Sequence, residues 1–249
     1  MKIIKSIKKH RDAIMEQPKG ERWAYFWDYY KWPAIIIIAA IAVLTQMIVS
    51  TVKQKDTAFT GYLLNCKISI EDESFLQGFY DRTGIDTATQ EAAFYTDLGI
   101  WEGRGKNNNT VLQRIIAGAS MKDADIITGP AEALRPCAYN TSRILCDLRQ
   151  FLDEETLSAY ADRLYNIDGA VMRQLDAPVG QDVRPELLNY PDPRDPAGME
   201  DPIPVGIDIS DRTAFLEAYY FPDTTVYLSF VSNTSRPELC KQFLDYLFS

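Results

Sequence analysis

Nineteen consecutive residues, 34–52 (AIIIIAAIAVLTQMIVSTV), carry no charge. As a helix they extend roughly 28 Å, close to the hydrocarbon thickness of a bilayer. Backbone N–H and C=O groups cannot go unpaired in lipid, so a lone span must be helical. Pro33 stands just before the run, where the first turn of a helix tolerates proline. Residues 23–32 (WAYFWDYYKW) hold seven aromatic rings. Trp23, Trp27, Tyr29, Tyr30 and Trp32 suit the headgroup layer, each pairing an apolar body with a polar edge. The pattern predicts a transmembrane helix over 34–52 with an aromatic belt at its start.

Charge sets the expected orientation. Residues 1–33 carry eight Lys or Arg against four Asp or Glu, a net +4; the whole chain is −9, which leaves −13 for the rest. Basic residues stay inside, so 1–33 is expected in the cytoplasm and 57–249 on the outer face of the cell membrane. More than thirty residues precede the apolar run and no small-x-small site follows it, the pattern of an uncleaved signal anchor. Ile3, Ile7 and Ile14 interleave with Lys2, Lys5, Lys8 and Lys9, so residues 1–15 read either as a basic amphipathic helix on the inner leaflet or as a solvated tail. The implied partner is the lipid bilayer. An acidic outer domain repels polyanions, which argues against nucleic acid.

Beyond a linker at 53–56, strand and helix patterns alternate. Apolar, β-rich runs predict strands at 57–64, 92–96, 124–128, 143–148, 204–209 and 225–231. Helical spacing marks 71–82, the stretch from Val111 to Ile116, 131–139, 153–164 and 214–219. Ser235 and Glu238 fit a capping box opening the last helix. Residues 101–109 read as a polar loop, and 178–204, with seven prolines, as a surface excursion. The alternation predicts an α/β domain: a mixed, largely parallel sheet covered by helices.

The only histidine is His10, before the apolar run, so the domain has none for Ser-His-Asp or Cys-His catalysis. No cofactor fingerprint or metal-ligand spacing occurs, and no cofactor or metal is expected. Cys137 and Cys146 could be bridged across a short turn; four buried thiols, with Cys66 and Cys240, are the alternative. Acidic clusters at 71–73 and 153–155 open helices, where negative charge complements the dipole. A carboxylate pair acting on cell-wall glycans is the competing reading. A bound solute is expected beyond the carboxyl ends of parallel strands. The polar residues there are Thr96 and Asp97, Thr128 and Gly129, Asp208 and Ser210, and Ser232 and Asn233.

The order of elements, with AGAS at 117–120, DADIITGP at 123–130, ILCDL at 144–148 and DEET at 153–156, resembles the first lobe of bacterial extracellular solute-binding proteins of the type 2 periplasmic-binding fold. The stretch SNTSRPELCKQFLDYLF at 232–248 is similar to a late helix of that family. The whole chain also resembles single-span membrane proteins of Gram-positive bacteria that join an aromatic-rich anchor to a small outer domain. The resemblance implies a non-enzymatic binding or interaction module for a small solute or another membrane protein. The family's cleft lies between two lobes, and here only 165–205 could supply the second. The alternative expectation is therefore an accessory or scaffold subunit without a cleft.

Overall fold

The computed structural model describes residues 18, 20, 22–53, 55–68, 74–101, 105–177, 188–222 and 224–249. The chain divides into two units, Met1–Gln54 and Lys55–Ser249. The basic segment 1–15, His10, the carboxylates at 71–73 and the excursion at 178–187 lie outside the described residues.

Among the described residues the first unit holds one helix, α1 (Arg22–Lys53), about 48 Å long at 1.5 Å per residue. It starts earlier than expected and carries Pro33 inside rather than at its first turn. Trp23, Trp27 and Trp32 are 71%, 52% and 67% exposed, and Trp23 stacks on Trp27 at 6.5 Å. The side chains of Tyr29 and Tyr30 lie outside the described residues. Ile35, Ile36, Ile37, Ile38, Ile41, Val43, Leu44 and Met47 are all exposed, so the helix is apolar around its circumference. Among the described residues no helix is long and apolar enough to cross a membrane. Side chains of α1 are described continuously only over 31–47, whereas the uncharged sequence continues to Val52 in the same helix.

In the second unit the chain runs β1 (Asp56–Leu64), β2 (Lys67–Ile68), α2 (Ser74–Thr83), β3 (Gln90–Leu98), α3 (Gly105–Ser120), β4 (Ile126–Pro130), α4 (Ala131–Ala138) and α5 (Glu154–Ala159). It continues with β5 (Leu164–Asp168), α6 (Gly169–Leu175), β6 (Pro202–Asp208), α7 (Thr213–Ala218), β7 (Tyr219–Tyr220), β8 (Val226–Phe230) and α8 (Pro237–Leu247). Six strands form a sheet in the order β3-β1-β4-β8-β6-β5. The sheet is mixed and covered by helices, as expected. It is not largely parallel: β1 pairs in parallel with β3 and β4, but β4–β8, β8–β6 and β6–β5 are antiparallel.

Successive strand side chains point to opposite faces, so a doubly covered sheet needs apolar residues at both parities. In β1, Phe59 and Leu63 face one core while Tyr62 and Leu64 face the other. The first core is closed by α2 (Phe75, Phe79), α7 (Phe215) and α8 (Phe243, Leu244, Leu247). The second is closed by α3 (Ile115, Ala119), α4 (Ala133, Leu134) and α6 (Met172). Helix α3 sits close on β1, and a Cβ at Gly118 would lie 2.1 Å from the Tyr62 hydroxyl.

Several element boundaries differ from expectation. The loop at 101–109 gives way to α3 at Gly105, and the strand expected at 143–148 reduces to one bridge, Leu145 to Val231. The helix expected over 153–164 ends at Ala159, and β5 and α6 follow. Asp153 caps α5 as expected, accepting from the Thr156 N–H at 2.7 Å. The capping box of α8 does not form: Arg236 holds the N-cap position without a side-chain cap, and Glu238 pairs with Lys241.

The described part of the proline-rich stretch packs along edge strand β5. The Asn166 N–H donates to Pro193 O at 2.8 Å, Tyr190 rests on Tyr139 at 4.8 Å, and Arg194 pairs with Asp208. Asp168 accepts from the N–H groups of Ala170, Glu200 and Asp201. Burial pushes its pKa up, but these three donors together outweigh that and hold it below the usual carboxylate value. Covering β5 in this way hides backbone groups that an open edge would present to other chains.

The expected Cys137–Cys146 bridge is absent, and all four cysteines are free and buried. Cys137 belongs to the second core and Cys146 to the first, so the two residues serve opposite faces of the sheet. Burial pushes the Cys66 and Cys137 thiols up to about 12 and Cys146 to about 11, and raises Cys240 as well. The thiolate is the reactive form, so native protein at neutral pH should react with a thiol reagent at none of the four. Unfolded, unreduced protein should titrate four thiols by the same assay; two would establish a bridge.

Candidate functional site

Strand direction separates the eight polar residues expected to ring one site. Strands β1, β3, β4 and β6 point the same way, and β8 runs against them. Thr96, Asp97, Thr128, Gly129, Asp208 and Ser210 therefore stand toward one end of the sheet. Ser232 and Asn233, which follow β8, emerge at the other.

The first six do not converge. Four strand intervals separate β3 from β6, roughly 19 Å. Thr96 is half-buried within β3, and Asp97 is exposed and paired with Arg114 at 2.7 Å. Thr128 is fully buried, and its hydroxyl has no hydrogen-bond partner among the described residues. Gly129 allows β4 to approach β1, since a Cβ there would lie 2.9 Å from Leu64 Cβ. Asp208 accepts from the backbone N–H and hydroxyl of Ser210, and that hydroxyl accepts from the Val226 N–H at 2.9 Å. These groups fix turns and strand contacts, and the prediction of one eight-residue site is corrected.

The other end of the sheet opens differently. A cleft of about 510 Å³ lies over the second face. Its floor is Ile167 of β5 with Ile203 and Val205 of β6; Ile116 and Ala119 of α3, Ala138 of α4 and Met172 of α6 form its sides. The segment 142–147, Gln150, Ser232 and Asn233 make the rim. Of the predicted residues, then, only Ser232 and Asn233 belong to it. Its size falls within the range of small-molecule pockets, and its lining is shared about evenly between the aliphatic floor and the polar rim.

The rim is held rigidly. Arg143 adopts a left-handed backbone, φ 48°, which costs a residue with a Cβ of order 1–3 kcal/mol. Its N–H donates to Asn140 O at 2.8 Å, and its carbonyl accepts from the Ser232 hydroxyl at 2.6 Å. The Arg143 guanidinium reaches across to Asp176, the residue capping the end of α6, at 2.5 Å. Ser232 N–H donates to Ile144 O, and Cys146 N–H to Phe230 O, each at 2.8 Å. Cys146 belongs to the segment that borders the cleft, and its side chain packs in the first core.

Two stretches that carry the sequence resemblance meet in a structural cluster. Asp125, from DADIITGP, is fully buried and accepts from the Thr60 N–H (2.7 Å), the Thr234 hydroxyl (2.5 Å) and Arg236 Nε (3.0 Å). Arg236, from the 232–248 stretch, also donates to Thr57 O and Asp123 O. Asp125 and Arg236 thus tie α8 to β1 and the start of β4, and neither lines the cleft.

Among the described residues no group of three or more His, Cys, Asp or Glu side chains could hold a metal ion. The rim carboxylate, Asp147, is engaged by Arg149 at 2.8 Å. What the cleft can do chemically is enclose an apolar group and hydrogen-bond at its mouth. Comparisons with protein-family models, curated proteins and solved structures found no match.

Proposed function

We propose that the chain is a single-span membrane protein whose outer α/β domain is a non-enzymatic, solute-binding-like module, with the cleft beneath segment 142–147 as its ligand site. The open cleft, with an aliphatic floor and a hydrogen-bonded polar rim, is the observation that carries the binding role. The anchoring role rests on the uncharged run 34–52 inside a helix whose apolar side chains face outward on every side. A helix apolar all round is stable inside a large core or in lipid. Residues 1–33 stay in the cytoplasm and Lys55–Ser249 stands on the outer face of the cell membrane. The resemblance to one lobe of a solute-binding protein supports the module's ancestry. Its two-lobed clamp is not the mode of binding, because 188–204 packs on the sheet edge instead of forming a lobe.

A second reading, an accessory subunit that contacts another membrane protein, is favoured by exposed Tyr95 and Met121 beside Arg114 around a separate cavity of about 440 Å³. A thermal-shift series on Lys55–Ser249 with sugars, free amino acids, blocked amino-acid amides and short aliphatic alcohols separates the two. A true ligand at a hundredfold excess over its Kd stabilises by about 2.7 kcal/mol. For a domain of this size that raises Tm by roughly 5–10 °C. No shift with any compound at millimolar concentration would transfer the case to the accessory-subunit reading.

A further inference from the structure

We infer that the cleft selects an aliphatic group joined to an uncharged amide and excludes charged ligands. This rests on the cleft being the ligand site. The two charged rim side chains are already neutralised within the protein, Arg143 by Asp176 and Asp147 by Arg149. The floor and sides, among the described residues, contribute aliphatic and thioether groups and no ionisable side chain. A ligand carboxylate or ammonium entering this space gives up part of its hydration and, among the described lining residues, meets no charge outside an existing ion pair. The rim also offers two exposed side-chain amides, Gln150 and Asn233, that make no side-chain hydrogen bond among the described residues. Each presents a donor and an acceptor, which is the complement of a carboxamide or peptide group. An aliphatic side chain next to an amide occurs both in free blocked amino acids and within a peptide segment.

The test uses the full chain in detergent micelles with ¹³C-labelled isoleucine methyl groups. Ile144, Ile167 and Ile203 report the cleft, while Ile126 and Ile207, in the other core, serve as controls. Three probes share one aliphatic group: neutral N-acetyl-leucinamide, anionic N-acetyl-leucine and cationic leucinamide, at about pH 6, where an α-amino group is charged. The expected result is saturable movement of the cleft methyl groups with the neutral probe, at least tenfold tighter than with either charged one. Ser142→Trp, a change at an exposed rim position, should abolish that movement and leave the control methyl groups in place. Gln150→Leu should weaken the neutral probe severalfold. Tighter binding of a blocked pentapeptide centred on leucine identifies a peptide ligand, and weaker binding a free solute; both agree with the inference. Equal or tighter binding of a charged probe overturns the selectivity and leaves the cleft as a ligand site. Cleft methyl groups that stay still with every probe overturn the ligand site itself.

Discussion

Replacing Arg236 by methionine is expected to destabilise the outer domain by about 3–5 kcal/mol, the usual effect of removing one partner from a buried ion pair. Asp125 is 0% exposed, so its charge has no water to fall back on. With Arg236 gone, the Thr60 N–H and the Thr234 hydroxyl still donate to it, but the counter-charge, 2.9 Å away in the native protein, is lost. Two further hydrogen bonds, to Thr57 O and Asp123 O, disappear as well. Arg236 itself keeps a quarter of its side chain in solvent, which places the effect toward the lower end. Urea unfolding of Lys55–Ser249 followed by circular dichroism should show the midpoint falling by about 1 M or more, given slopes of about 1–3 kcal/mol per molar. The double variant Asp125→Leu with Arg236→Met should recover much of the loss, since it buries no unpaired charge. A single variant within about 0.5 kcal/mol of the parent would mean that this pair does not hold α8 to the sheet.

Phe243→Ala is expected to cost a similar 3–5 kcal/mol by a different route, the opening of a cavity in a packed core. Phe243 is 0% exposed. Its ring lies 5.1 Å from those of Phe59 and Phe79, 5.9 Å from Phe94, and 6.3 Å from Phe75 and Phe215. It thus joins α8 to the sheet through Phe59 and Phe94, and to α2 and α7. Its neighbours come from four elements and cannot all move inward, so the void persists. Phe243→Leu keeps much of the volume and should cost clearly less. The same urea titration checks both; equal costs for alanine and leucine would point to lost ring–ring geometry rather than lost volume.

The parts of this fold that show plainly in the sequence are those whose local pattern and tertiary role agree. The apolar, β-rich residues 57–64 become β1, an interior strand of the sheet, and Phe243, Leu244 and Leu247 form the buried stripe of α8 with Leu239 partly buried beside them. Strand β5 and helix α6 were hidden because they are five and seven residues long, too short for either periodicity to stand out. At 143–148 an apolar run suggested a strand. The left-handed backbone of Arg143 limits pairing to Leu145, and the run becomes the rim of a cleft instead. The capping-box pattern at Ser235 and Glu238 loses to a stronger tertiary demand, the Arg236–Asp125 pair, which sets the helix start at Pro237.

Of the candidate cleft's lining, the strand-end rule points to Ser232 and Asn233 alone. That rule holds for the carboxyl ends of parallel strands, whereas β8 runs against both its neighbours. Sequence pattern does not encode strand direction, and β8 is antiparallel. The cleft gathers residues from 116 to 233, brought together by five elements and the connecting residues at 142–150 and 232–233. No single short motif spans it. The nearest signals are ILCDL, which contributes Ile144, Leu145, Cys146 and Asp147 to the rim, and AGAS, which contributes Ala119 and Ser120 to the wall.

The measurement that bears most directly on a lipid-held tether carrying an outer binding domain is release of that domain from intact cells. A specific protease site placed between Gln54 and Lys55, with a tag at the amino terminus, makes the two sides distinguishable. Protease added outside unbroken cells should free Lys55–Ser249 into the medium while the tag stays with the membrane fraction. Release only after the cells are opened would contradict the account.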